Sequence, residues 1–389
     1  MIPAPLPHDI SRRTFLAGWA AISGLTVAAC ASGLQPHLAA IPRLRLIGET
    51  RLPHRMTFMG TTVGGLSGLD YDPADDIWYA LSDDGSDINA ARFYTLRLKI
   101  SPTVLGHAEL LSVVTMRQSD GSSYPGRSRG GTVPDPESIR YRPQTQTLLW
   151  TSEGGIQQGI DPFVREVRLD GNHVREFELP AMFRAASTGD SGPRHNLTFE
   201  GMSLTPGGQS LWVAMEAALK QDGPVPRVGA RGGPCRFTVF DVAAGRAMRQ
   251  IAYEPDAIAR PPIPPTAFAD NGVSEILMLD EHRMLVLERA YMSGVGNSLR
   301  LYQIDTRQGS DTLAIPKLME SAFTAAPKTL VADFAEFAPQ GLSRLDNTEG
   351  MAWGPRLANG KRTLVFVSDD NFNPQQVTQF LAFEFQEEE

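Results

Sequence analysis

The feature that most constrains what this chain can fold into is an internal repeat. Five stretches share one plan: "GLSGLDYDPADDIWYALSDDG", "DPESIRYRPQTQTLLWTSEGG", "NLTFEGMSLTPGGQSLWVAMEAAL", "NGVSEILMLDEHRMLVLERAY" and "NTEGMAWGPRLANGKRTLVFVSDDN". Each has an apolar run, a turn rich in Pro, Gly or Asp, a second apolar run and an acid. Their anchors, Ser67, Glu137, Glu200, Glu275 and Glu349, fall 63 to 75 residues apart. Self-similarity at a steady period marks architectures in which each unit buries its apolar face against the next. Two more alternating runs follow each hairpin, for instance "ARFYTLRL" and "AELLSVVTM", so each unit supplies four strands.

Four-stranded units in a ring make a β-propeller. Past Glu349 only three runs remain, ending in "TQFLAFEF", while "LRLIGETRLP" near residue 45 precedes the first hairpin without a partner. The expectation is therefore an all-β, five-bladed propeller of four-stranded blades, its ring closed by the N-terminal strand. Six blades are the alternative if residues 305–345 hide a degenerate one. The 36 Gly and 29 Pro suit many turns, and 389 residues at 42% hydrophobic suffice for a large undivided core.

Strand order puts the acids on one face. Consecutive strands of a blade run antiparallel, so the start of the first and the end of the second lie at the same end of the barrel. The first set is Glu137, Glu200, Glu275 and Glu349, with Ser67 in the first unit. The second is Asp83, Glu153, Glu216, Glu288 and Asp369, with Asp84 and Asp370 following in two units. Long segments near 117–135, 183–195, 217–234 and 255–272 open toward the same end, where binding usually resides.

Carboxylates gathered around one channel mouth repel. Two unit charges about 6 Å apart at an effective dielectric near 20 cost ~3 kcal/mol. Protonation, basic partners such as Arg92, Arg140, Arg289 and Lys220, or a divalent cation would offset this. Calcium suits an all-oxygen donor set, and the His/Cys combinations that zinc prefers are missing. The alternative for any one Glu is structural, accepting backbone N–H bonds from the next blade at about 1.5–3 kcal/mol each.

Residues 1–30 read as a twin-arginine export signal, with Arg12 and Arg13 before an apolar stretch and a lipobox-like "VAAC" ending at Cys30. Ordinary cleavage near Ala40 is the alternative to lipidation. Residues 31–40 then form a linker and 41–389 a single propeller, periplasmic or held at the cell envelope through Cys30. Cys235 is left alone, which excludes a disulfide framework and reads as a small buried hydrophobe. A net charge of −8 without a basic cluster argues against nucleic acid. A monomer acting on a small molecule is expected.

Other motifs are weaker. "GDSGP" at 189–193 lacks the context of a serine protease. "DDGSDIN" at 83–89 has the composition of a calcium loop without EF-hand spacing. "GLSGL" is not the G-x-S-x-G elbow, and Ser67 fills a Glu slot of the repeat. His195, at the rim, reads as a solvated loop residue, with a general-base role as the sharper alternative.

"TFEGMSL…LWVAMEA", "SEILML…RMLVLERAY" and above all "NTEGMAWGP…LVFVSDDNFN" resemble the phytase-like β-propeller family described by esterase-like activity of phytase. The likeness runs from about Gly64 to Phe385. It implies an exported relative of calcium-dependent phosphoester hydrolases, in which carboxylates hold calcium and basic residues meet phosphate. Glu200, Glu349, Asp369, Asp370, Asn371, Glu288 and Arg289 match its motifs, and Ser67 departs from them. The reading that follows is a calcium-dependent ester or phosphoester hydrolase with Arg289, Arg92 and Glu288 in catalysis. Its calcium ligands come from Asp83, Asp84, Glu137, Glu153, Glu200, Glu216, Glu275, Glu349, Asp369 and Asp370. A calcium-stabilised binding or scaffold propeller is the alternative.

Overall fold

The computed structural model describes residues 42–126, 129–186 and 188–387. The expected export signal, the lipobox-like Cys30 and the linker lie outside them. In chain order the strands open with β1 (Arg43–Arg51) and a short hairpin, β2 (Thr57–Phe58) and β3 (Thr61–Thr62). Blade one follows as β4 (Leu66–Asp72), β5 (Ile77–Ser82), β6 (Arg92–Ile100) and β7 (Leu105–Thr115). Blade two is β8 (Pro136–Arg142), β9 (Thr147–Ser152), β10 (Phe163–Arg168) and β11 (His173–Glu176). Blade three is β12 (Phe199–Leu204), β13 (Ser210–Met215), β14 (Cys235–Asp241) and β15 (Arg246–Tyr253). Blade four is β16 (Ala269–Met278), β17 (Arg283–Met292), β18 (Gly296–Asp305) and β19 (Lys328–Asp333). Blade five is β20 (Thr348–Trp353), β21 (Arg362–Ser368) and β22 (Gln379–Gln386).

Each blade is an antiparallel sheet, and β1 completes the fifth by pairing with β22 from Arg43↔Gln386 to Arg51↔Gln379. The first strands form a closed circle in the order β4, β8, β12, β16, β20 and back to β4. A propeller of five blades closed by the N-terminal strand is what the repeat predicts. The 305–345 stretch hides no sixth blade among the described residues. It supplies β19 and a 3₁₀ turn, Phe334–Gln340, whose Phe334 and Phe337 pack on Phe383.

Four apolar clusters fill the spaces around the ring, built from the alternating inward residues that the repeat displayed. The glycine of the E-G-M repeat has a packing cause. A Cβ on Gly201 would lie 2.7 Å from the Ile276 nitrogen, so only glycine lets β12 approach β16.

Below the mouth the axis is closed by a charged hub. Arg140 donates to the carbonyls of Leu69 (2.8 Å), Ile139 (2.7 Å), Ile276 (3.2 Å) and Met351 (3.2 Å), and pairs with Glu275 at 2.8 Å. Glu275 in turn accepts from the Met202 amide (2.8 Å) and the Ser138 hydroxyl (3.0 Å). All five inner strands thus meet in one buried ion pair. Burial raises the Glu275 carboxyl to about 7, with Arg140 opposing the rise.

Candidate functional site at the channel mouth

Every inner strand carries a bulge opposite the end of its neighbour, between Leu66/Gly68, Pro136/Ile139, Phe199/Met202, Val273/Glu275 and Thr348/Gly350. A bulge re-aims side chains at a rim, and here it fixes which residues are equivalent. Amides of Asp83, Glu153, Glu216 and Asp369 donate to the carbonyls of Gly65, Asp135, Thr198 and Asn347, at 2.7–2.9 Å. In blade four the residue opposite Gly272 is Arg289.

This register corrects blade four by one residue. Ser274 takes the slot of Glu137, Glu200 and Glu349, and Arg289 takes the slot of Asp83, Glu153, Glu216 and Asp369. Glu275 belongs instead to the axial hub, in the layer of Gly68, Gly201 and Gly350. Glu288 is directed away from the mouth, accepting from the Tyr253 hydroxyl (2.6 Å), the Asp256 amide (3.0 Å), Asn271 (3.0 Å) and Lys328 (2.5 Å).

Three further candidates have their polar atoms engaged in the framework. Asp84 accepts from the amides of Asp87, Ile88 and Asn89 and from Arg92 at 2.8 Å. Arg92 is 1% exposed and also holds Tyr94 and the Thr62 carbonyl, which keeps its guanidinium out of the mouth. Asp370 accepts from the Gly65 and Phe372 amides and faces His54 at 3.3 Å. Lys220 donates to the Ala186 carbonyl. Cys235 is buried, its thiol donating to the Glu216 carbonyl at 3.1 Å.

The remaining candidates converge. A cavity of about 1090 Å³ is lined by Asp83, Glu137, Glu200, Glu216, Arg289, Glu349 and Asp369, with His195 exposed at its rim. Two trios stand out. Asp135, Glu137 and Glu153 each offer an oxygen within 4.8 Å of the others, and so do Glu153, Glu200 and Glu216. Glu153 belongs to both, and its carboxylate also accepts the Thr198 amide.

Burial is the largest cause that pushes the carboxyls of Asp83, Glu137, Glu153, Glu200 and Asp369 well above their usual range, and neighbouring acids add to it. Glu216 is pushed up to about 8 and Glu349 is raised less, because Arg289 opposes burial at both. The Arg289 guanidinium lies 3.3 Å from Glu216 and 3.6 Å from Glu349, and its Nε has no partner. Gly272 makes this meeting feasible, since a Cβ there would lie 2.5 Å from Glu216 Cγ. Asn347 bridges Glu349 (2.9 Å) and Asp369 (3.1 Å).

Asp135, Asp270 and Asn347 also line the mouth and sequence reasoning passed over them. Asp135 and Asn347 stand two residues before Glu137 and Glu349, so the signal was a polar residue ahead of the repeated acid. A second cavity, about 820 Å³, lies on the outer side of blade three among Leu179, Met182, Ala247 and Leu313, apart from the acids.

A family model for phytase-like proteins, described as esterase-like activity of phytase, matches residues 61–372, and the chain belongs to that family. No curated protein matches it significantly. Among solved structures, the catalytic domain of an α-L-arabinofuranosidase from Coprinopsis cinerea is 10% identical at a TM-score of 0.45, covering 89% of this chain and 97% of that one. An exo-β-1,3-galactanase from Phanerochaete chrysosporium with galactose is 9% identical, at 0.43, covering 88% and 64%. The periplasmic gluconolactonase of Pseudomonas aeruginosa is 14% identical, at 0.33, covering 84% and 89%.

Proposed function

We propose that this phytase-like propeller is a calcium-dependent ester or phosphoester hydrolase acting at the channel mouth. The observation that carries the reading is the pair of buried acid trios sharing Glu153. Seven carboxyls held above their usual range by burial and by each other are a poor end state without a counter-charge. The donors are all oxygen, which suits calcium and not zinc. Glu137 fits well, since its buried carboxylate lies within reach of Asp135 and Glu153, and burial and neighbouring acids raise it. Asp135, Glu137, Glu153, Glu200 and Glu216 would hold the ion.

When bound, calcium supplies the positive charge that lets an anionic or carbonyl oxygen enter an acidic mouth, and it acidifies water there. The chain's own residues do the rest. Arg289, whose guanidinium lines the mouth beside Glu216 and Glu349, would donate to a phosphoryl or oxyanion oxygen there. Asn347 holds Glu349 and Asp369 in position, and the Arg140 hub keeps the inner strands fixed beneath. Paired Arg12 and Arg13 with Cys30 support export to the periplasm or envelope.

The test is product release from phytate, aryl phosphates, phosphodiesters and carboxylate esters, with calcium titrated against EDTA. Saturable, calcium-dependent turnover is expected. Absence of turnover on all four classes, with calcium still raising Tm, would replace this reading with a calcium-stabilised binding propeller.

A further inference from the structure

Resting on that hydrolase reading, we infer that the mouth takes esters in which a single anionic group is carried on a ring with an apolar face, an aryl or glycosyl monoester, and rejects polyphosphorylated cyclitols. The first ground is charge. Eleven carboxylate side chains line the cavity, and among the described residues its only lysine or arginine side chains are Arg289 and Arg344. Arg344 is already engaged, 2.9 Å from Asp346 and donating to the Gln375 carbonyl. Each phosphate of a cyclitol polyphosphate brings about 1.5–2 negative charges. An ion held in the acid trios together with one arginine can receive one such group, and a second or third would meet further acids of the lining, Asp270 among them.

The second ground is apolar. Phe268 and Tyr291 line the same cavity, 63% and 37% exposed, with ring centroids 6.3 Å apart and planes tilted by 36°. Both are held from the backbone, since the Ser293 amide donates to the Phe268 carbonyl and the Tyr291 amide to Asp270, each at 3.0 Å. A fully charged cyclitol has no face for them. An aryl ring or the C–H face of a pyranose does.

The third ground is spacing. Arg289 and Tyr291 are two residues apart on β17, so they share a face of the strand about 6.7 Å apart. A phosphoryl group seated at Arg289 thus has the aromatic pair within reach of its alcohol portion, which can lie across Tyr291 and Phe268.

Calorimetry on the full chain with calcium, using phenylphosphonate and methylphosphonate, isolates the ring because neither probe can be hydrolysed. Phenylphosphonate should bind roughly tenfold tighter. Phe268→Ala and Tyr291→Ala should each reduce the phenyl-to-methyl ratio by about three- to tenfold, the effect of losing one aromatic contact. Met319→Ala, also exposed and not lining the cavity, should leave the ratio alone. A wild-type ratio near one, a ratio untouched by both aromatic variants, or tighter binding of phytate than of phenylphosphonate overturns the inference and leaves the aromatic pair as a contact for a protein. Turnover of phenyl phosphate, glucose 1-phosphate, glycerol 3-phosphate and phytate then separates aryl from glycosyl esters. No turnover with the ring preference intact refutes only the hydrolase reading. Turnover of all four at equal efficiency refutes only the ring inference.

Discussion

Calcium-free protein should lose stability as the pH rises from 5 to 8, and Glu216→Gln should remove a defined share of that loss. Burial is the largest cause that raises the Glu216 carboxyl to about 8 from 4.5; Arg289 opposes it, and Asp270 and Glu349 add to it. Between those two values the folded chain keeps a proton that the unfolded chain has released. Stability rises with pH only where the unfolded state binds more protons, so here it falls. The loss begins near pH 4.5 and is complete above about pH 8. At about 1.4 kcal/mol per pH unit, the ceiling for this one group is about 5 kcal/mol. An unfolding entropy of about 2.1 cal/mol/K per residue over roughly 345 residues converts this to about 7 °C in Tm. Scanning calorimetry in EDTA at pH 5, 6, 7 and 8 reads it directly. Wild-type Tm should fall across the series, and the Gln variant should fall less steeply by up to about 7 °C. Millimolar calcium at pH 8 should restore the wild type more than the variant, because the ion binds the deprotonated folded state. A wild-type Tm that is flat or rising in EDTA, or two parallel curves, would refute the reasoning.

Arg289→Ala should lower kcat on an aryl phosphate by roughly 10²–10³, the effect of removing one charged donor, while calorimetric calcium affinity is kept or improved; unchanged kcat would take Arg289 out of the chemistry. Glu200→Gln should weaken calcium by about tenfold, as a ligand charge is removed, and an unaltered isotherm would strike it from the ligand set. Arg140→Met breaks the axial hub and strands Glu275, so urea denaturation should report a loss of about 3–5 kcal/mol. Glu288→Gln should lower Tm through its four lost or weakened contacts yet leave turnover unchanged, and a fall in kcat would restore Glu288 to the site.

Blade number, strand order and the shared face of the acids were legible because they rest on period-two alternation and on antiparallel direction, both of which survive in a linear string. Blade four was misaligned for a local reason. "VSEI" places Glu275 beside Ser274, and an acid in the string looks like the repeated acid, but the bulge between Val273 and Glu275 gives the mouth slot to the serine. The same one-residue slip sent attention to Glu288 in place of Arg289 as the ring member, since a strand's adjacent residues face opposite sides. Asp84 and Asp370 accept hydrogen bonds from the loops they begin, a use of an acid that sequence cannot tell from one left open to a ligand. The Arg140 hub and the Phe268–Tyr291 pair left no trace in the repeat, since each joins residues distant in the chain or outside the repeated unit.

Where the repeat is broken matters more than where it holds. Going round the ring, the inner slot reads Ser67, Glu137, Glu200, Ser274, Glu349, and the outer slot reads Asp83, Glu153, Glu216, Arg289, Asp369. Acids in both slots coincide in blades two, three and five, but only blades two and three bring trios within 4.8 Å. Blade five differs in that Asn347 inserts between Glu349 and Asp369 and donates to one oxygen of each. Blade four offers a serine and an arginine. The mouth is therefore uneven, with the two acid trios over blades two and three and Arg289 at their edge, 3.3 Å from Glu216 and beside the aromatic pair of its own blade. A symmetric ring of acids could hold a cation but could not orient an ester. On the proposed reading the uneven mouth would do both, because an anion drawn to a cation over blades two and three would meet Arg289 at the blade-four edge of that site, with the aromatic pair beyond it. Departures from local regularity tend to mark function, and here they set an arginine and an aromatic pair beside the acids proposed to hold the cation.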